Sequence, residues 1–193
     1  MIAAVVLAAG ASTRMGRPKQ LLPLGGGTVL STVVSRLLES PVDRVVVVLG
    51  CEAEAVRSAA RLPPDARVDV VENAGWAEGM ASSLRRGVGA AGDAEAVVVA
   101  LGDQPGVDPG VVARLVDAFR TGAPLAVPVH GEDRGHPVLF ARALFDELLA
   151  VRGDVGAREV VRAHWPRAAK VEAAPLADLD TPEDFEELEH RRS

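Results

Sequence analysis

Apolar positions along the chain fall into two recurring patterns. Ile2–Ala8, Arg44–Leu49, residues 68–71 and Ala96–Leu101 are short, Val-rich runs without polar alternation. Strands buried on both faces of a parallel sheet read this way. Between them, residues 28–39, 52–61, 80–91 and Pro109–Arg120 space their apolar side chains as amphipathic helices. Strand and helix alternating at this spacing predicts βαβ units, and hence a doubly wound α/β sheet. After Pro124 the rhythm changes. Residues 124–129 and 136–140 are apolar and flank a polar turn at 130–135, which predicts a hairpin-like excursion. Helical patterns follow at 141–151 and 155–164, then a short strand at 168–174 and an acidic helix from Thr181. No repeat, low-complexity tract or long linker interrupts the pattern. The 193 residues are therefore expected to form one domain, 1–193.

Composition narrows the function classes. Hydrophobic residues make up 48% and charged residues 25%, which supports a packed core and argues against disorder. Aromatic residues are 3%, with no Tyr, so the core is expected from Val, Leu and Ala. The same scarcity removes the stacking platforms that single-stranded nucleic acid needs. A net charge of -6 lacks the electrostatic footprint of a DNA or RNA binder, so nucleic acid is not an expected partner. Cys51 is the one cysteine, which excludes an internal disulfide and a multi-Cys zinc site. Because it follows a predicted strand, it reads as a buried structural thiol. The first apolar run has no basic residue ahead of it and is too short to span a bilayer. It reads as a strand, with no membrane partner and a cytoplasmic location expected.

Charge is uneven along the chain. Arg14, Arg17, Lys19 and Arg36 precede the first acidic residue, Glu39, whereas eight acidic residues face only Arg191 and Arg192 from Glu172 onwards. The first βα segment is thus locally cationic, either as a solvated asymmetry or as a site for an anion.

Three constellations carry candidate chemistry. Leu7-Ala8-Ala9-Gly10-Ala11-Ser12-Thr13-Arg14-Met15-Gly16-Arg17-Pro18-Lys19 directly follows the first strand. Ligands of open α/β sheets bind beyond the carboxyl ends of strands, and a loop of small residues lets backbone N–H groups approach an anion. Arg14 and Lys19 add full positive charge, the former able to grip phosphate oxygens bidentately. The loop matches neither GxxxxGK[ST] nor GxGxxG. Gly102-Asp103-Gln104-Pro105 follows the run ending at Leu101 and puts a carboxylate at a strand end. Asp103 suits Mg²⁺, which takes one or two carboxylates plus substrate phosphates, and equally suits a turn ahead of Pro105. In Asp178-Leu179-Asp180-Thr181-Pro182-Glu183-Asp184, Thr181 and Pro182 make a strong helix start. That leaves Asp180 as a second metal ligand or a solvated carboxylate.

Weaker patches complete the set. In NAGWAEGMASSLRRG, residues 73–87, Gly79, Ser82 and Ser83 open a helix and either contact a base or ribose or simply cap it. Gly135-His136-Pro137 holds a histidine that is either structural or catalytic. In GDVGAR, residues 153–158, Asp154 is either the N-cap of the following helix or a substrate contact.

The segment from Leu7 to Lys19, continued by Gln20-Leu21-Leu22-Pro23-Leu24, resembles the signature loop of the MobA-like nucleotidyltransferases. GMASSLRRG, LGDQP, RGHPVLF, GDVGAR and DLDTPEDF follow in family order, from Val6 to Phe185. The set looks most like the molybdenum cofactor cytidylyltransferase branch. The resemblance implies a Rossmann-like three-layer α/β/α nucleotidyltransferase fold with a mostly parallel central sheet. It implies transfer of NMP from an NTP to a phosphorylated acceptor, with Mg²⁺ as cofactor and pyrophosphate leaving. On this sequence it places Leu7, Ala8, Ala9 and Gly10 at the nucleotide, with Gly79, Ser82 and Ser83 beside it. Arg14 and Lys19 would neutralise the triphosphate, Asp103 would hold the metal with Asp180, and His136 and Asp154 would contact the acceptor. The guanylyltransferase branch usually reads Ala-Gly-Gly where this chain has Ala8-Ala9-Gly10, which favours CTP, since residue 9 would touch the base. CTP and molybdopterin are the substrates so implied, and a molybdenum hydroxylase is an implied protein partner.

No nucleophile or general-base motif accompanies these residues, and none is needed. A phosphate monoester is already ionised near neutral pH, so charge neutralisation and in-line positioning are most of the catalysis. Rival readings are guanylyl transfer, another small phosphorylated acceptor, and a non-catalytic nucleotide-binding accessory of molybdenum hydroxylases. Arg14, Lys19 and Asp103 together speak against the last, because binding alone does not require all three. An oxidoreductase role lacks a dinucleotide fingerprint.

Overall fold

Ile2–Ala8 (β1) runs through the middle of a sheet and sends its side chains alternately into two apolar layers. The computed structural model describes residues 1–12, 16–176, 179 and 184–185. Chain order after β1 is Pro23–Leu24 (β2), Gly27–Thr28 (β3), Val29–Leu38 (α1), Arg44–Leu49 (β4), Ala53–Ala59 (α2) and Val68–Glu72 (β5). Met80–Ala90 (α3), Ala96–Leu101 (β6), Pro109–Arg120 (α4), Leu125–His130 (β7), Asp133–Arg134 (β8) and Val138–Ala141 (β9) follow. Phe145–Ala150 (α5), Arg158–His164 (α6) and Ala169–Glu172 (β10) close the described fold.

The sheet order is β10-β7-β9-β6-β1-β4-β5, with β8 on β7 and the β2–β3 pair separate. β1 pairs in parallel with β4 on one side and β6 on the other. The chain therefore winds outward to β5 and returns across β1 to reach β6. That reversal opens a crevice at the carboxyl ends of β1 and β6, where open α/β sheets bind ligands. β9 lies antiparallel between β6 and β7. The two runs do pair antiparallel, as β7 and β9, but inside the sheet and not as an excursion from it, because the β9 backbone also pairs with β6; only β8 and its turn stand off the edge.

The layering follows from the period-two alternation. Ala4, Val6, Val45, Val47 and Val98 face α1, α2 and α4, whereas Ala3, Val5, Val46, Val48 and Val97 face α3, α5 and α6. This is the three-layer α/β/α arrangement with a mostly parallel sheet. Helix starts match their caps. Thr28 and Ser31 form a reciprocal capping box on α1, and Asp108 caps α4 with Pro109 at its first position. Residues 141–151 divide into a 3-10 turn at Arg142–Leu144 and α5. Cys51 is half-buried at the end of β4, more accessible than a core thiol. Among the described residues no helix is long and apolar enough to cross a membrane.

Gly87 sets how closely α3 approaches the sheet. A Cβ there would collide with Val5 Cγ1 and lie 3.0 Å from Val48 Cγ2, whereas one at Gly89 would meet nothing within 4 Å. Gly87→Ala is expected to cost about 1–3 kcal/mol through overpacking. Gly89→Ala should stabilise by about 0.5–1 kcal/mol, since it relieves only backbone entropy. Urea unfolding of both variants checks the pair; equal midpoints would contradict the close approach.

Candidate active site

The crevice is built from two adjoining strand ends. β1 delivers Ala8, Ala9 and Gly10; β6 delivers Leu101, Gly102 and Asp103. Gly102 N–H donates to the Leu7 carbonyl at 2.9 Å, and a Cβ on Gly102 would sit 2.8 Å from Ala8 Cβ. Only glycine lets the two ends lie so close. The Gln20 side-chain amide donates to the carbonyls of Ala8 (2.9 Å) and Gly10 (3.3 Å), which fastens the loop over its own strand. Ser12, at φ +50°, accepts from Lys19 N–H at 3.1 Å on its hydroxyl.

These bonds place Lys19, in the 3-10 turn Lys19–Leu21, with its stem buried and its ammonium 3.3 Å from Asp103 Oδ2. The Asp103 side chain is 30% exposed, open to the cleft. Below the turn, Leu22, Leu24 and Val29 form a small apolar cluster with Leu179 and Phe185. Arg14, Asp178 and Asp180 lie outside the described residues.

The opposite wall comes from the turn Trp76–Glu78 and the start of α3. Asn73 donates through Nδ2 to the hydroxyls of Ser82 (2.8 Å) and Ser83 (3.0 Å), and Ser82 donates to the Gly79 carbonyl at 2.8 Å. Ser82 is spent inside the β5–α3 junction, while Gly79 and Ser83 line the cleft. α3 has no side-chain cap of its own. Asp154 Oδ1 accepts from Met80 N–H at 3.1 Å and the Gly153 carbonyl accepts from Ala81 N–H at 3.1 Å. Gly79 permits this at φ +104°, since a Cβ there would stand 2.7 Å from the Gly153 oxygen. Asp154 therefore caps α3 from across the fold; α6 has Ala157 at its N-cap and no side-chain cap. With those donors taken, an anion in the cleft meets the loop after β1 and Lys19.

Two cavities result. The cleft just described measures about 620 Å³. A second, of about 820 Å³, adjoins it through Met80, Leu101 and Asp154, and His136 lies in its wall. Leu7, Ala8, Ala9, Gly10, Lys19, Gly79, Ser83 and Asp103 thus share the first, and His136 belongs to the second. Gln20, Asn73 and Trp76 were not singled out from the sequence. Gln20 sits beside Lys19 in the loop, but its role exists only once the loop has closed on β1.

Among the described residues no group of three or more His, Cys, Asp or Glu side chains is assembled to hold a metal by itself. Asp103, beside the Lys19 ammonium, suits a hard ion that draws its remaining ligands from substrate phosphates and water.

A family model described as the MobA-like NTP transferase domain matches residues 4–169. The chain belongs to that family. This MobA-like protein is 26% identical to molybdenum cofactor cytidylyltransferase of Escherichia coli K12, over 94% of this chain and 92% of that one. It is 35% identical to nicotine blue oxidoreductase of Paenarthrobacter nicotinovorans, over 97% and 93%. The crystal structure of Rv0371c from Mycobacterium tuberculosis H37Rv, in complex with manganese, superposes with a TM-score of 0.79 at 34% identity, covering 97% of each chain. The protein is a nucleotidyltransferase of the MobA-like family.

Proposed function

We propose that this MobA-like transferase moves CMP from CTP to the terminal phosphate of molybdopterin. The observation that carries the reading is the Lys19–Asp103 pair at the β1/β6 edge, with a second, larger cavity opening beside it. An acceptor phosphate oxygen attacks the α-phosphorus of CTP, a P–O bond forms, the bond to the β-phosphate breaks, and pyrophosphate leaves.

Ala8, Ala9 and Gly10, with Leu7, Gly79 and Ser83, hold base and ribose; Ser82 supports that wall through Asn73. Lys19 and Arg14 neutralise the triphosphate, which otherwise repels the incoming phosphate most strongly at the transition state. Asp103 holds Mg²⁺, joined by Asp180. The ion, when bound, supplies charge stabilisation to the phosphates. Manganese in the Rv0371c structure supports a divalent metal in this fold. His136 and Asp154 contact the acceptor from the second cavity. One domain, 1–193, carries the activity in the cytoplasm, and a molybdenum hydroxylase receives the product. The likeness to the Escherichia coli cytidylyltransferase supports CTP and the acceptor.

CTP is expected to bind at least about tenfold more tightly than GTP, about 1.4 kcal/mol, because residue 9 is Ala where the guanylyl branch usually has Gly. Titration calorimetry with both nucleotides and Mg²⁺ checks this; parity or a GTP preference removes the cytidylyl reading and leaves the family intact. The nicotine blue oxidoreductase relative raises a second reading, a reductase. NAD(P)H oxidation by the purified protein would support that reading, and pyrophosphate release from CTP with molybdopterin supports the first.

A further inference from the structure

Two cations, one distant in sequence and one five residues on, meet on the Trp165 ring. Arg134, on β8, holds its guanidinium carbon 4.0 Å from the ring centroid, and Lys170, on β10, holds its ammonium 4.8 Å from the same centroid. The half-buried indole begins the turn Trp165–Arg167 after α6 and packs against the core layer that contains α3 and α5. Two cations on one ring repel each other, and neither Arg134 nor Lys170 has an ion-pair partner among the described residues. Cation–π contact at an exposed site is weak, so it contributes little to the fold. Its effect is to favour one position of the Arg134 guanidinium, on the ring face, over others.

Arg134 lines the 820 Å³ cavity, whose size is that of a small-molecule site. Val99, Val127, Val138 and Phe140 form apolar wall. Glu132, Asp133 and Glu159 line the cavity together with Arg134, Arg158 and Arg162, so its charge is mixed. Such a lining does not select a bare phosphate. It fits a flat ring body lying on apolar wall, with a carbonyl edge that accepts from an oriented guanidinium. Arg134 reaches the cavity from the β7 side, which β9 separates from β6 and the Asp103 junction.

We propose that Arg134 is a specificity-determining residue that binds the ring-carbonyl edge of the acceptor, at the end away from its reactive phosphate, and that Trp165 is its positioning residue. The assignment rests on the reading of the second cavity as the acceptor site. Steady-state kinetics with CTP and molybdopterin test it. Arg134→Ala should raise the molybdopterin KM by about tenfold, with kcat changed much less and the CTP Kd within about twofold. Arg134→Lys should not restore the KM, because an ammonium lacks the planar fork. Trp165→Leu should reproduce the rise, while Trp165→Phe, which keeps an aromatic face, should largely restore the wild-type KM. Circular dichroism verifies folding, and if Trp165→Leu does not fold, Arg134→Ala decides alone. An unchanged molybdopterin KM in Arg134→Ala, or an equal rise in the CTP Kd, overturns the assignment while wild-type turnover keeps the functional reading. Absence of wild-type turnover with molybdopterin removes both.

Discussion

Asp103→Asn is expected to lower kcat/KM by about a hundredfold or more, about 2.7 kcal/mol of transition-state stabilisation. The substitution keeps the size of the side chain and its place at the end of β6, so Gly102 still packs on Ala8 and the sheet edge is undisturbed. It removes the negative charge that a hard divalent ion takes in preference to a neutral amide. It also removes the anion that lies 3.3 Å from the Lys19 ammonium. The Mg²⁺ concentration for half activity should rise together with the loss of rate. Asp180→Asn should act in the same direction more mildly, and Asp178→Asn should do little. Pyrophosphate release measured across a Mg²⁺ titration checks all three. Full activity in Asp103→Asn at ordinary Mg²⁺ would sink the metal assignment.

Lys19→Ala should cost a similar factor, about a hundredfold in kcat/KM, for a different reason. Its stem is buried and its backbone N–H is tied to Ser12, so the ammonium is presented at one place beside Asp103 with little entropy left to lose. A preorganised cation at the edge of a partly dry cleft acts far more strongly on a developing phosphate charge than a solvated one. Far-UV circular dichroism should be unchanged, because Gln20 continues to fasten the loop to the Ala8 and Gly10 carbonyls. Arg57→Ala, on the exposed side of α2, is the control and should retain wild-type kinetics. Equal behaviour of the two variants would show that no phosphate is held by the loop after β1.

What the sequence by itself determined follows from short-range regularities. The Val-rich runs are β1, β4 and β6 because uninterrupted apolar stretches of strand length stay out of water only when both faces are covered, whereas β5, interrupted by Asp69, is a half-buried edge strand. α4 begins at Pro109 and ends at Arg120 as its pattern and its Asp108 cap require. Lys19 and Asp103, 84 residues apart, were legible as belonging to one sheet edge, because the loop that carries Lys19 follows β1 and Asp103 follows β6; their ion pair was not. The tertiary structure alone decided the rest. β9 enters the sheet between β6 and β7, a pairing that no periodicity in residues 136–140 encodes. Asp154 caps α3 and not the helix that follows it, because chain folding brings the Met80 N–H to its carboxylate and Gly79 leaves room for the approach. Ser82 turns inward because Asn73, itself buried, needs acceptors. Arg134 meets Trp165 and Lys170 only once β8 and β10 are both paired to β7. Local pattern specifies which backbone a segment adopts and which face it hides. Which polar group meets which depends on long-range packing, where a shift of one residue or a few ångströms changes the partner.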